Sequence, residues 1–226
     1  MRAILLDWLV DVHLKFKMFP QTLFLVAAIL DKFLSVRAVR KEELQLAGCA
    51  ALLVAAKYEE TYQVPEAGEL VGLSGRAFSK ADLLRMEAEI LVALDFNLVF
   101  STPYHFLEPF CRLAGLEPKK LCLAHYALEL ALTDSRFLKF KPSLLAASAI
   151  FLVNKIKRAE VVWPDVLVAA SGYEERELRS CARELCQLLE QADTLSNIKC
   201  LRRKFSLPKY YEVSKIRLEK REKPKN

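Results

Sequence analysis

Glycine and proline are scarce in this chain, at 6 and 9 of 226 residues, and β-branched residues are scattered while Leu and Ala abound. So few turn-formers and so many helix-formers favour an all-α protein. Histidine is scarcer still. His13, His105 and His125 stand far apart, and no HExxH or paired metal-ligand spacing exists. The six cysteines, Cys49, Cys111, Cys122, Cys181, Cys186 and Cys200, include no CxxC pair. Most fall in apolar helical patterns, as reduced core thiols of an intracellular protein do, which argues against a disulfide or zinc framework. Phosphate-cradling and nucleophile signatures are missing: there is no GxGxxG, GxxxxGK[ST] or GxSxG. No opening segment reads as a cleavable signal, and no apolar run reaches the roughly 18 residues a bilayer requires, so no membrane association is expected.

What is present is hydrophobic and helical. Hydrophobic residues make up 53% and charged ones 27%, a foldable composition. The formal charge of +6 is concentrated at one end. From Lys199 to Asn226 there are 11 Lys or Arg against 3 Glu, while the preceding 198 residues hold 23 basic and 25 acidic side chains. A nearly neutral body argues against direct nucleic-acid binding, which needs concentrated positive charge on the folded surface. The basic end reads as a solvated extension, with a nuclear-targeting or weak polyanion-binding role as the alternatives.

The stretch from Leu44 to Glu60, LQLAGCAALLVAAKYEE, organises the first half. Leu46 to Ala56 is apolar all the way round, as a helix enclosed by other helices must be, and it ends abruptly in Lys57-Tyr58-Glu59-Glu60. Around it, residues 2 to 17, Gln21 to Leu34, a brief helix within PEAGELVG, and Lys80 to Leu94 complete a set of five. Ser79 with Asp82 forms a capping box for the last of these. The first helix has more apolar residues than one core stripe needs. Met1, Ile4, Leu5, Trp8 and Val12 share one face, and Leu6, Leu9, Val10 and Phe16 another, so one face is left for a missing helix or a peptide. Asp7 and Asp11 share a face four residues apart and so mildly repel, but nothing places them in a catalytic cleft.

Thr102-Pro103 opens a second series, with helices at about Lys119 to Thr133, Ser143 to Arg158, Trp163 to Ala170 and Glu174 to Gln191. Its apolar run Leu144 to Val153 lies over the earlier run at an offset of 99 residues, which favours two successive helical repeats. A final helix is expected near Leu195 to Phe205, followed by a polar, basic, frayed terminus. Without site chemistry, this is a protein that works by presenting surfaces. Lys57, Tyr58, Glu87 and Phe96 make one candidate surface, because aromatic anchors beside charged neighbours are typical of interface hot spots.

Met1-Arg2-Ala3-Ile4-Leu5-Leu6-Asp7-Trp8-Leu9, LQLAGCAALLVAAKYEE and Leu84-Arg85-Met86-Glu87 together resemble the cyclin box of mitotic A/B-type cyclins. Phe140-Lys141-Pro142-Ser143, Trp163-Pro164, Gly172-Tyr173 and Lys204 to Tyr210 resemble that class's C-terminal cyclin fold, so the likeness spans about residues 1 to 212. It implies two tandem five-helix cyclin-box domains, at residues 1–98 and 99–205, with a short C-terminal helix and a basic extension at 206–226. It implies a regulatory subunit without enzymatic activity or cofactor, found in nucleus and cytoplasm, that binds and activates a cyclin-dependent Ser/Thr protein kinase. Lys57, Tyr58, Glu87, Phe96 and the apolar Val54 would face that kinase. Met1, Ile4, Leu5, Trp8, Asp11, Lys41 and Gln45 would form a docking groove for Arg-x-Leu peptides of substrates or inhibitors, with Asp11 meeting the peptide's basic residue. The family usually has Arg where Lys41 stands, and Lys keeps the charge but not the bidentate fork. Family members also carry a helix ahead of the segment that opens this chain and a destruction motif further upstream; the absence of that helix is expected to weaken kinase binding. A non-activating cyclin-like scaffold is the nearest alternative. A cyclin-fold transcription factor of the general-initiation type predicts a basic body or a zinc ribbon, which the sequence lacks, and a retinoblastoma-pocket-like binder is more distant.

Overall fold

A computed structural model describes residues 1–62, 64–195 and 198–216. Eleven α-helices run through them: α1 (Arg2–Lys15), α2 (Pro20–Val36), α3 (Leu44–Glu59), α4 (Ala67–Leu73), α5 (Lys80–Ala93), α6 (Pro103–Leu113), α7 (Pro118–Leu132), α8 (Pro142–Ile156), α9 (Asp165–Ser171), α10 (Glu175–Gln191) and α11 (Cys200–Phe205). No strand occurs among the described residues. Proline is few but placed: α2, α6, α7 and α8 each begin on it, where its fixed φ suits the first turn and its missing N–H costs nothing. The Ser79–Asp82 capping box forms as predicted, with each side chain bonding the other's backbone N–H.

Two helical sets each wrap a buried axis. In the first, α1, α2 and α5 pack on α3, whose residues from Ala47 to Ala56 are all buried. In the second, α6, α7 and α10 pack on α8, buried from Leu145 to Asn154. Small side chains set the spacing. A Cβ added at Gly48 would lie 2.8 Å from Leu5 Cδ1, so α1 and α3 approach as closely as they do because position 48 has no side chain. Val10, Leu23 and Phe24 of the first set belong to the apolar cluster of the second, which joins the two cores.

Polar contacts tie the junction. The Arg2 guanidinium donates to both carboxylate oxygens of Asp31, at 2.5 and 2.7 Å, and to the Leu132 carbonyl at 2.7 Å. The Asp7 carboxylate accepts the backbone N–H groups of Lys199, Cys200 and Leu201, each at 2.9 Å. Those are orphan donors at the start of α11, so a side chain from α1 caps a helix about 190 positions away. This gives the Asp7–Asp11 pair a different role from mutual repulsion: Asp7 turns inward to the cap, and Asp11 pairs with Arg203. It also explains why α11 begins at Cys200 rather than at the predicted Leu195. The cap that defines its start comes from another helix; Ser196 and Asn197 lie outside the described residues. Beyond α11 the chain does not fray at once. Val213 is buried in the second core, and residues 208–216 pack against α7 and α11. Of the predicted basic extension, residues 217–226 lie outside the described residues.

Candidate functional site

The charged end of α3 meets the middle of α5. Lys57 Nζ donates to Glu87 Oε1 at 2.7 Å and to Oε2 at 2.9 Å. Glu87 is buried among apolar side chains of α5, whereas Lys57 is half exposed. The arrangement follows from the helix pattern. Leu83, Met86 and Ile90 seat α5 on α3, and Glu87 shares their inward side, so its charge needs a partner that reaches from the rim. Two N–H groups of the ammonium are engaged, leaving a third for a carbonyl outside the chain.

Two aromatic side chains at the ends of α3 and α5 are left uncovered. Tyr58 is exposed, and Phe96 is 69% exposed just beyond the end of α5. Asp95 and Phe96 both have left-handed backbone, φ 55° each, and the Phe96 N–H reaches the Leu91 carbonyl at 2.8 Å. Left-handed backbone costs a non-glycine residue about 1–2 kcal/mol, and here it sharply reverses the chain and leaves a phenyl ring in water. Tyr62, 92% exposed, Val92 and Val99 extend the exposed apolar surface near these helix ends. They were not predicted. Tyr62 reads in sequence as the start of a linker, and its exposure is the only sign that distinguishes it. Val54 differs from expectation: at 3% exposure it belongs to the core, because it lies in a run enclosed on every side. Glu60 anchors the whole end of α3. Its Oε1 accepts from the Phe19 N–H at 2.7 Å and from the Thr22 hydroxyl at 2.6 Å, at the first turn of α2, where a negative charge is favoured.

The second predicted surface divides into wall and floor. Met1 and Ile4 are exposed, and Trp8 is partly so. Leu5 is not a surface residue: at 7% exposure it is the floor, pressed against Gly48. Lys41 is exposed in a short 3₁₀ turn, Lys41–Glu43, just ahead of α3. Gln45 lies three residues ahead of Gly48, which places it beside the same face of α1. Trp8 and Asp11 line one depression of about 310 Å³ with Leu73. Asp11 is not free there, since its carboxylate holds Arg203.

Among the described residues, no group of three or more His, Cys, Asp or Glu side chains is placed to hold a metal ion, and no helix is long and apolar enough to cross a membrane. All six cysteines are free thiols, and burial pushes Cys49 and Cys111 up to about 12 and Cys181 to about 11, out of the range of reactive thiolates.

Residues 1–99 match the family described as Cyclin, N-terminal domain, and residues 101–219 that described as Cyclin, C-terminal domain. The chain is 40% identical over 216 residues to G2/mitotic-specific cyclin-B of Marthasterias glacialis, covering 96% of this chain and 55% of that protein. It is 37% identical over 217 residues to G2/mitotic-specific cyclin-B of Dictyostelium discoideum, covering 96% and 49%. It is 39% identical over 210 residues to G2/mitotic-specific cyclin S13-7 of Glycine max, covering 92% and 80%. It thus spans about half the length of most of the curated relatives it matches. Among solved structures, a viral cyclin from herpesvirus saimiri superposes with a TM-score of 0.71 at 22% identity, covering 83% of this chain and 85% of that one. A chain of the CAK complex of Chaetomium thermophilum bound to ATP-gamma-S gives 0.61 at 17% identity, covering 97% and 73%. At these identities the two structures speak to the fold alone.

Proposed function

The chain belongs to the cyclin family, and on that premise we propose that it binds and activates a cyclin-dependent Ser/Thr protein kinase in control of cell division. The observation that carries this reading is the Lys57–Glu87 pair, with exposed Tyr58 next to Lys57 at the end of α3 and exposed Phe96 just past α5. The aromatic rings supply apolar anchors, and the unspent Lys57 N–H supplies one directed contact to a partner carbonyl. A partner helix seated there is held inward, so that a glutamate on it pairs with the kinase's nucleotide-positioning lysine. The kinase transfers the phosphoryl group; this chain's contribution is to position that helix.

The test is phosphorylation of a linker histone by a purified mitotic cyclin-dependent kinase, with the chain as wild type and as K57A/E87A. Removing both charges avoids leaving Glu87 buried alone, and circular dichroism confirms matched folding. Stimulation by wild type and its loss in the variant is the expected result. Equal stimulation by both rules out this face; stimulation by neither rules out activation and favours a kinase-binding scaffold.

We further propose that the exposed face of α1 recruits Arg-x-Leu peptides, with Met1, Ile4 and Trp8 around the buried floor of Leu5, and Lys41 and Gln45 at the edge. Asp11 must release Arg203 to meet the peptide's arginine, so recruitment exchanges one exposed ion pair for another at little net cost. Converting Met1 and Trp8 to alanine is expected to abolish capture of such a peptide while kinase binding stays intact. Residence in nucleus and cytoplasm is proposed on the strength of the basic stretch from Lys199 to Asn226.

A further inference from the structure

The carboxylate that would meet a peptide's arginine already holds an arginine of this chain. Arg203 donates to Asp11 Oδ1 across 192 positions of sequence. The helices set up that meeting. Asp7 fixes the start of α11 on α1 by accepting the N–H groups of Lys199, Cys200 and Leu201. Leu201, Lys204 and Phe205, three and four positions apart, are buried and fix the inner side of α11. Arg203 is thereby left on the outer side, in reach of Asp11, which stands one turn beyond Asp7 on α1.

Asp11 shares its depression with Trp8 and Leu73, so whatever holds its carboxylate acts on the groove. Among the described residues that line the depression, Asp11 is the acid and Lys15, one turn further along α1, the base. With Arg203 added, the local charge is positive before any peptide arrives. A guanidinium grips a carboxylate best through two parallel N–H···O bonds, which need both oxygens. With Oδ1 taken, an incoming arginine finds one oxygen and a like charge beside it, unless it displaces Arg203. Because Arg203 is tethered, it competes as an intramolecular group, at an effective concentration that a dilute peptide does not approach. The pair is accessible, with side-chain exposures of 63% and 47%, so exchange is open to a peptide but gains it little.

Taking the exposed face of α1 as the peptide groove, we propose that Arg203 is a built-in occupant of its arginine position. The chain then recruits peptides by their apolar anchors and is nearly indifferent to their arginine. Arg203 is in this sense a specificity-determining residue: with it, leucine-bearing peptides that lack arginine are accepted, and without it, arginine is favoured.

The test is fluorescence anisotropy at low salt with two labelled peptides that differ only in the motif, Arg-x-Leu in one and Ala-x-Leu in the other. Each is titrated with the wild-type chain, R203Q, D11N and R203Q/D11N, all checked for matched folding by circular dichroism. In wild type the two peptides should bind within about twofold of each other. R203Q keeps much of the side-chain stem but frees both oxygens of Asp11. It should bind Arg-x-Leu about three- to fivefold more tightly than Ala-x-Leu, the value of one exposed ion pair. R203Q/D11N should lose that preference, and D11N alone should show none. A preference for Arg-x-Leu as large in wild type as in R203Q overturns the role of Arg203 and leaves the groove standing. Equal affinity of R203Q for the two peptides does the same. Saturable binding of neither peptide to any of the four proteins refutes the groove itself, and the role of Arg203 with it.

Discussion

Replacing Lys204 with methionine tests how the junction is held together. The ammonium of Lys204 and the carboxylate of Glu129 are 4% and 2% exposed, and both carboxylate oxygens are bonded at 2.6 and 2.7 Å. Phe205 and Tyr210 place their rings 5.1 and 5.8 Å from the same nitrogen. Two effects compete in such a pair. Coulombic attraction is strong in a dry site, but desolvating both ions offsets most of it, so the intact pair adds little net stability. Breaking it is another matter. K204M keeps the length of the side chain and leaves the Glu129 carboxylate buried with no cation, at a cost of about 3–5 kcal/mol. For a chain of this size that corresponds to a fall in Tm of roughly 6–20 °C. K204M/E129L, which removes both charges, should return to within about 1–2 kcal/mol of wild type. Urea unfolding of the four proteins of the cycle gives the coupling directly. A loss below about 1 kcal/mol in K204M, or a double variant as unstable as the sum of the singles, would refute this account.

Acid stability should follow His13. Its pKa is about 4 when folded and 6.5 otherwise, because burial disfavours the cation. The unfolded chain therefore binds the proton first as pH falls: stability is full above pH 6.5, declines by about 3 kcal/mol between 6.5 and 4, and levels below that. H13Q should flatten that slope in denaturant titrations across the same interval. Removing the interdomain cap with D7A should cost about 2–5 kcal/mol, and D7N roughly half as much, since three charge-assisted bonds to backbone N–H groups are lost or weakened. Equal Tm values for D7A and wild type would show that the cap contributes nothing. G48A should destabilise by about 1 kcal/mol despite alanine's better helix propensity, because the new methyl must displace Leu5; in L5A/G48A the penalty of the second change should vanish.

Much of this was legible in the chain. An apolar run on every face of a helix has only one physical meaning, and both axes, α3 and α8, announce themselves that way. Local caps were equally readable, as at Ser79 and Asp82, because both partners lie within three residues. The losses come from contacts at long range. Nothing near Asp7 says that it caps α11, so its neighbour Asp11 looked like a repelling twin and the start of α11 fell five residues too early. Leu5 and Val54 show a second limit. Where apolar residues cover more than one face, periodicity says that a helix is buried without saying which side chains reach the surface. The Lys57–Glu87 bond spans 30 positions, so the sequence could put both residues on one candidate surface without bonding them; the fold joins them, with Glu87 on the inner side.

The Asp7 cap also bears on the order in which the protein is born. Its donors lie 192 to 194 positions downstream of the carboxylate. At about 5–20 residues per second, a ribosome needs roughly 10–40 s to reach them after Asp7 has been made. During that interval α1 can pack on α2 and α3, but a carboxylate meant for the interior has no partner. The nascent first domain therefore waits in an incomplete form, with that edge accessible to chaperones or to misassembly, until the distant segment emerges and closes it. The first helix is finished by the eleventh.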